Sequence, residues 1–173
     1  MLIVFEGPDG SGKSTLAKKV QKRLDALLVH CGPPPQGSAN YVWDRLIRFP
    51  NSRCPVVCDR LHWGEYPYGE IYRGRSELGK EGILELDHTI ERAGGIMVYV
   101  TAKPENLYQR LWQRGDDYVN LHDLPQIVRM YDELYEQSPC VKYRIDTTND
   151  FAQASDEMLT HIIDRAEKEW FGW

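Results

Sequence analysis

VFEGPDGSGKSTLAKKV, residues 4–20, decides how this chain is read. An apolar run breaks at Glu6 into a glycine-rich loop, and the loop enters a lysine-bearing helical stretch. Gly7-Pro8-Asp9-Gly10-Ser11-Gly12-Lys13-Ser14 fits G-x-x-x-x-G-K-[ST] in full. Such a loop wraps an anion in its backbone N–H groups, and the helix behind it points its positive end at the same place. Gly7, Asp9, Gly10, Ser11, Gly12, Lys13, Ser14 and Thr15 are therefore the candidate phosphate-binding residues. Lys13 is expected to reach the β- and γ-phosphates of a bound nucleotide, and the Ser14 hydroxyl to ligate Mg2+.

Outward from this stretch, short apolar runs alternate with helical periodicity. Residues 2–6, 27–31, 55–58, 96–100 and 141–145 read as strands, rich in Val, Ile or Leu and with little polar alternation. That pattern predicts strands buried on both faces of a parallel sheet. Helices are expected over 13–25, 39–49, 77–93, 104–114, 123–137 and 151–170, with Asp123 and Asp150 as N-caps and Pro104 in a first turn. The class is α/β: a three-layer sandwich on a five-stranded parallel sheet, with ligands at the carboxyl ends of the strands. Two segments stand outside the alternation: the stiff Gly32–Gly37 loop, and residues 61–76, rich in Tyr, Gly and Arg.

The 173 residues suit one domain, 1–173. Hydrophobic and charged contents of 42% and 27% are those of a globular protein, and no run is long enough to span a membrane. Met1–Phe5 lacks a basic leader and meets Glu6, so it reads as a strand rather than a signal peptide, and the cytoplasm is the expected compartment. A net charge of −5 argues against a polymeric nucleic acid as partner. Four cysteines form no disulfide framework. Cys54, Cys58 and His62 are spaced by four, but without a fourth ligand nearby the cysteines read as small buried hydrophobes.

A phosphate loop needs a second carboxylate for its metal. The third strand ends in Asp59, which makes it the candidate partner of Ser14 on Mg2+. No Asn-Lys-x-Asp string exists to read guanine in the manner of a GTPase switch, and motor ATPases need more chain. A phosphotransferase remains, and such chemistry needs cations around the spreading negative charge. Arg60 follows Asp59, Arg73 and Arg75 lie in the acceptor loop at about 61–76, and Arg110 and Arg114 share a helix face. The last two read as arginines of a lid at about 110–121 that shuts out water. Arginine density favours a monophosphate acceptor, whereas Glu65 keeps a hydroxyl acceptor open because it can act as a base.

FEGPDGSGKSTLAKKV, then VVCDR, a Tyr-Gly…Arg-Gly-Arg loop, LYQRLWQRGDDYV and RIDTTND together resemble thymidylate kinase and its deoxynucleoside-monophosphate kinase relatives. The resemblance implies ATP–Mg2+ as donor and a small deoxynucleotide as acceptor. It implies Asp9 on the acceptor's sugar hydroxyl, Asp59 and Arg60 on metal and phosphoryl group, and Arg73 following Tyr68 at the acceptor. Lid arginines would be Arg110 and Arg114, and Asp146-Thr147-Thr148 would cradle adenine. The chain departs where the family carries a serine, here Gly64, and a thymine-reading glutamine, here Gly69. Four aromatics in 62–74 offer either base stacking or a packed lid over the core. The stretch between the second and third strands is shorter than in the family, leaving Arg45 or Arg48 to reach the acceptor phosphate.

Three readings follow: a kinase of a deoxynucleoside monophosphate, dTMP-like or broad; a kinase of a hydroxyl on a nucleoside or nucleic acid; and a nucleotide-binding module without turnover. The aromatic C-terminus, Trp170-Phe171-Gly172-Trp173, is expected to pin the last helix, with a homodimer contact as the alternative.

Overall fold

The computed structural model describes residues 1–32, 41, 43–44, 49, 52–115, 119–149 and 151–171, the side chains of 151–155 and 170–171 excepted. Five parallel strands form one sheet: β1 (Leu2–Glu6), β2 (Leu27–His30), β3 (Val56–Asp59), β4 (Ile96–Thr101) and β5 (Val141–Asp146), in the order β2-β3-β1-β4-β5. Among the described residues the helices are α1 (Lys13–Leu24), α2 (Glu65–Arg73), α3 (Gly79–Arg92), α4 (Pro104–Arg114), α5 (Leu124–Gln137) and α6 (Phe151–Phe171).

Side-chain alternation along the strands divides the core in two. Leu2 and Val4 of β1, Val56 and Cys58 of β3, and Met97 and Tyr99 of β4 pack with residues of α2 to α5 on one face. Ile3, Phe5, Val57, Val98 and Val100 face α1 and α6, which supply Leu16, Ala17, Val20, Ile162 and Ala166. The predicted three-layer α/β architecture is therefore the observed one. The central strands are buried throughout, but the flanking β2 is exposed at Leu27 and His30, and β5 is mostly half-exposed. The expectation of strands buried on both faces holds only for the inner three, because a sheet's outer strands have a neighbour on one side.

Two local readings need correction. Residues 61–76 are not a loop: Glu65–Arg73 form α2, with Pro67 in the first turn, where a missing N–H is harmless. Asp123 does not cap α5, since it already has helical φ and ψ and makes no side-chain cap bond. A 3-10 turn, Leu121–Asp123, runs into the helix and is capped by Asn120, whose side chain accepts from the His122 N–H. Pro104 does open α4. Cys58 is buried as expected, whereas Cys54 is exposed on the approach to β3. Asp150, Arg45, Arg48, most of 39–49, the centre of the predicted lid at 116–118 and the C-terminal aromatic side chains lie outside the described residues.

Candidate functional site

The site lies at the carboxyl edge of the sheet, where β1 runs between β3 and β4. Gly7 takes φ +143 and sits so close to β4 that a Cβ there would overlap the Val100 carbonyl oxygen. Gly12 caps α1 in the left-handed region with no side-chain cap, which leaves the helix start open to an anion. Ser11 is buried, Ser14 half-buried and Thr15 exposed.

Lys13 is buried, and its Nζ donates to the Pro8 carbonyl at 3.2 Å and lies 3.5 Å from Asp9 Oδ1. Burial, with Arg60 adding to it, pushes Lys13 down to about 8, against the pull of Asp9, Asp59 and Glu6. Those five residues form one electrostatic cluster. Asp9 is ion-paired with Arg60 through Oδ1 as well as with Lys13. Burial pushes the Asp9 carboxyl up, but Lys13 and Arg60 outweigh it and hold the group below its ordinary value. The Asp9 N–H donates to the Tyr68 hydroxyl at 3.0 Å, so α2 touches the phosphate loop directly.

Asp59 ends β3 and is buried. Its Oδ2 accepts from His30 Nδ1 at 3.0 Å, while Oδ1 has no hydrogen-bond partner among the described residues. A buried carboxylate oxygen left without a donor suits a cation. Magnesium takes one or two protein oxygens and fills its shell with water and phosphate, so Asp59 and the Ser14 hydroxyl are a donor set of the right kind. Among the described residues no group of three or more His, Cys, Asp or Glu side chains could hold a metal. Cys54, Cys58 and His62 do not converge as a site: His62 is bound through Nε2 to Asp87 at 2.7 Å.

Glu6 is fully buried at the end of β1, and its Oε1 accepts from the backbone N–H groups of Leu61, His62 and Trp63 at 2.8, 2.8 and 3.0 Å. One side chain thus fixes the start of the 61–76 segment to the start of the phosphate loop. Below it, Trp63 Nε1 and His62 share the buried Asp87 of α3. Trp63 is thereby a core residue, which settles one of the four aromatics as packing. Tyr68 stacks on Tyr72 and meets Tyr131 of α5 edge-on.

The predicted acceptor residues of α2 are brought together, in an arrangement of their own. Glu65 is buried; its Oε1 accepts from Arg73 Nη2 at 2.5 Å and from the Glu77 N–H at 3.0 Å, and its Oε2 has no partner among the described residues. Arg75 lies 3.6 Å from Glu77 and is well exposed. Gly69 is packed so that a Cβ would lie 2.8 Å from Arg73 Nη2 and from Ser76 Cα.

On the other side of the loop, Arg110 donates to Gly10 O at 3.2 Å, to Thr147 Oγ1 at 2.9 Å and to Thr147 O at 2.5 Å. The Thr147 hydroxyl in turn donates to the carbonyls of Ser11 and Thr101. The Asp146 carboxylate accepts from the Thr148 N–H, and Thr148 bonds to Lys103 and Asn106 at the start of α4. Arg114, one turn on, is exposed at the end of α4. Sequence reasoning missed Glu6, His30 and Tyr131. Only Glu6 carried a signal, an acidic residue ending a buried strand directly before the loop.

No family model matches the chain. It is 28% identical over 169 residues to the SPbeta prophage-derived protein YorR of Bacillus subtilis (strain 168), covering 94% of this chain and 96% of that one. The crystal structure of YorR in complex with phosphorylated GDP matches with a TM-score of 0.76 at 26% identity, over 98% and 97% of the two chains. The "Probable thymidylate kinase" of Thermoplasma acidophilum is 27% identical over 140 residues, 66% of this chain and 72% of that one. The deoxyadenosine kinase of M. mycoides with bound dCTP shares the fold, with a TM-score of 0.62 at 15% identity over 95% and 100% of the chains. Among the described residues no helix is long and apolar enough to cross a membrane. The five-stranded parallel sheet, with its phosphate loop between β1 and α1, is the fold of the P-loop kinases.

Proposed function

We propose that this protein is a phosphotransferase that moves the terminal phosphoryl group of ATP onto a deoxynucleoside 5′-monophosphate, giving the diphosphate. The observation that carries this reading is the junction of Asp9, Arg60 and Tyr68, which ties the acceptor segment to the phosphate loop. A mere nucleotide-binding module has no need of such a joint. YorR, solved with phosphorylated GDP, supports a nucleotide ligand and puts guanine among the bases to test.

In this reading the loop N–H groups and Lys13 hold the donor phosphates, and Arg60 meets the phosphoryl group in transit. Asp59 and Ser14 would hold magnesium, which when bound offsets charge on the phosphates. Asp9 orients the acceptor's sugar hydroxyl, and Arg73 and Arg75 lie on the acceptor side with Tyr68. Asp146, Thr147 and Thr148 border adenine. Arg110 acts by holding the Thr147 turn against Gly10, and Arg114 is left to close on the phosphates as part of the lid at 110–121. The chain works as one domain in the cytoplasm.

A second reading rests on the Glu65–Arg73 pair. It engages one of the arginines that favoured a monophosphate and presents a buried carboxylate, a candidate general base for a hydroxyl acceptor. One assay separates the two: γ-labelled ATP with each deoxynucleoside monophosphate, each nucleoside and a 5′-hydroxyl oligonucleotide. Label on monophosphates alone supports the first reading, and label only on nucleosides or the oligonucleotide overturns it. No transfer at all means a module without turnover.

A further inference from the structure

We infer that His30 is a positioning residue for Asp59, holding one carboxylate oxygen so that the other stays turned to the metal that accompanies the nucleotide. The inference rests on the reading of Asp59 as a magnesium ligand.

His30 and Asp59 are the last residues of β2 and β3 and stand opposite each other in the parallel register. Paired residues of parallel neighbours project to the same face, so the register itself brings imidazole to carboxylate. The backbone pairing continues one step further, with the Cys31 N–H donating to the Asp59 carbonyl at 3.2 Å. A carboxylate only accepts, so Nδ1 carries the proton in the 3.0 Å contact and the remaining nitrogen of the ring is Nε2.

The two side chains differ sharply in exposure, 64% for His30 and 9% for Asp59. A mostly exposed ring has water as a ready partner and needs no carboxylate to be satisfied. Asp59, nearly buried, gains a fixed orientation. Oδ2 is engaged and Oδ1, buried and without a partner among the described residues, is the oxygen left for a cation. Lys13 senses the Asp59 charge, yet its ammonium lies against Pro8 O and Asp9 instead. Carboxylates and imidazoles that orient a metal ligand in this way typically change metal affinity by about 10- to 100-fold when removed.

The test uses the full chain with a non-hydrolysable ATP analogue and Mn2+ as the spectroscopic probe, free Mn2+ being read by electron paramagnetic resonance. His30→Ala is expected to weaken Mn2+ binding to the protein–nucleotide complex about 10-fold while leaving metal-free nucleotide affinity unchanged. His30→Asn, whose amide can donate in place of Nδ1–H, is expected to recover most of it. The same pattern should appear as a raised requirement for Mg2+ at little-changed kcat under saturating metal. Wild-type Mn2+ affinity in His30→Ala, with Asp59→Asn weakened, would overturn the positioning role alone. Unchanged affinity in Asp59→Asn would remove Asp59 as the ligand, and the inference with it.

Discussion

Asp9 of the phosphate loop and Arg60, the residue after β3, are ion-paired across 51 positions of sequence, and Arg60 adopts φ +67 to make the pair. A left-handed backbone at a non-glycine residue costs about 1–3 kcal/mol and persists where the surroundings impose it. Here the imposing contacts are the Arg60 N–H on the Phe5 carbonyl and the guanidinium on Asp9. Arg60→Gly is therefore expected to be about 1 kcal/mol more stable than Arg60→Ala by urea unfolding, because only glycine relaxes the backbone freely. Both should lose transfer by about 100-fold or more. Equal stability of the two would mean that the backbone there is unstrained.

Lys13 provides a pH signature. A bound phosphate favours its charged form, whereas burial, with Arg60 beside it, has pushed it down to about 8. Nucleotide affinity should fall as pH rises from about 7 to 9, with proton uptake on binding seen as buffer-dependent heat near pH 8. Stability has the opposite sign. Between about 8 and 10.5 the unfolded chain holds a proton that the folded lysine has released, so folding stability gains with pH across that window. Lys13→Ala should remove the pH dependence and abolish transfer; surviving transfer would refute the loop assignment.

Glu6 gives a stability test. Glu6→Ala leaves the N–H groups of Leu61, His62 and Trp63 without their buried acceptor and is expected to cost about 3–5 kcal/mol. Glu6→Gln keeps a carbonyl oxygen in place and should cost only about 1–2 kcal/mol. Urea midpoints check the order, and identical losses would show that the three N–H groups need the carboxylate's charge and that a neutral oxygen of the same size does not replace it.

Gly69 limits what can be grafted. Gly69→Gln would drive side-chain atoms into Arg73 and Ser76, since even a Cβ there stands 2.8 Å from each. The variant is expected to lose about 1–3 kcal/mol through overpacking and to disturb the Glu65–Arg73 pair without producing preference for thymine. A stable variant selective for dTMP over other monophosphates would contradict the packing described.

The order of strands and helices and the phosphate loop were legible because their signals are local: a glycine pattern, an apolar run, a Pro104 at a helix start. Asp59 was legible as the acidic end of a strand. His30 was not, because its role arises from the pairing of β2 with β3, and register across a gap of 29 residues leaves no trace in either run. Glu6 looked like the polar stop of a strand, since its partners lie more than 50 residues away. Residues 61–76 read as a loop because Gly64, Pro67, Gly69 and Gly74 lower local helix propensity; Tyr66, Tyr68 and Ile71 packing on the core outweighs it.

The Glu6 bonds to residues 61–63 make the β1–β3 pairing a ruler. Phe5 stands opposite Asp59, so both halves of the proposed reaction are measured from the same rung of the sheet. A slip of one residue, about 3.3 Å, would turn every buried side chain of the strand to the opposite face. The gap between donor and acceptor is thus a property of main-chain geometry. Substitutions on α2 can change what is accepted without resetting how far a phosphoryl group must travel.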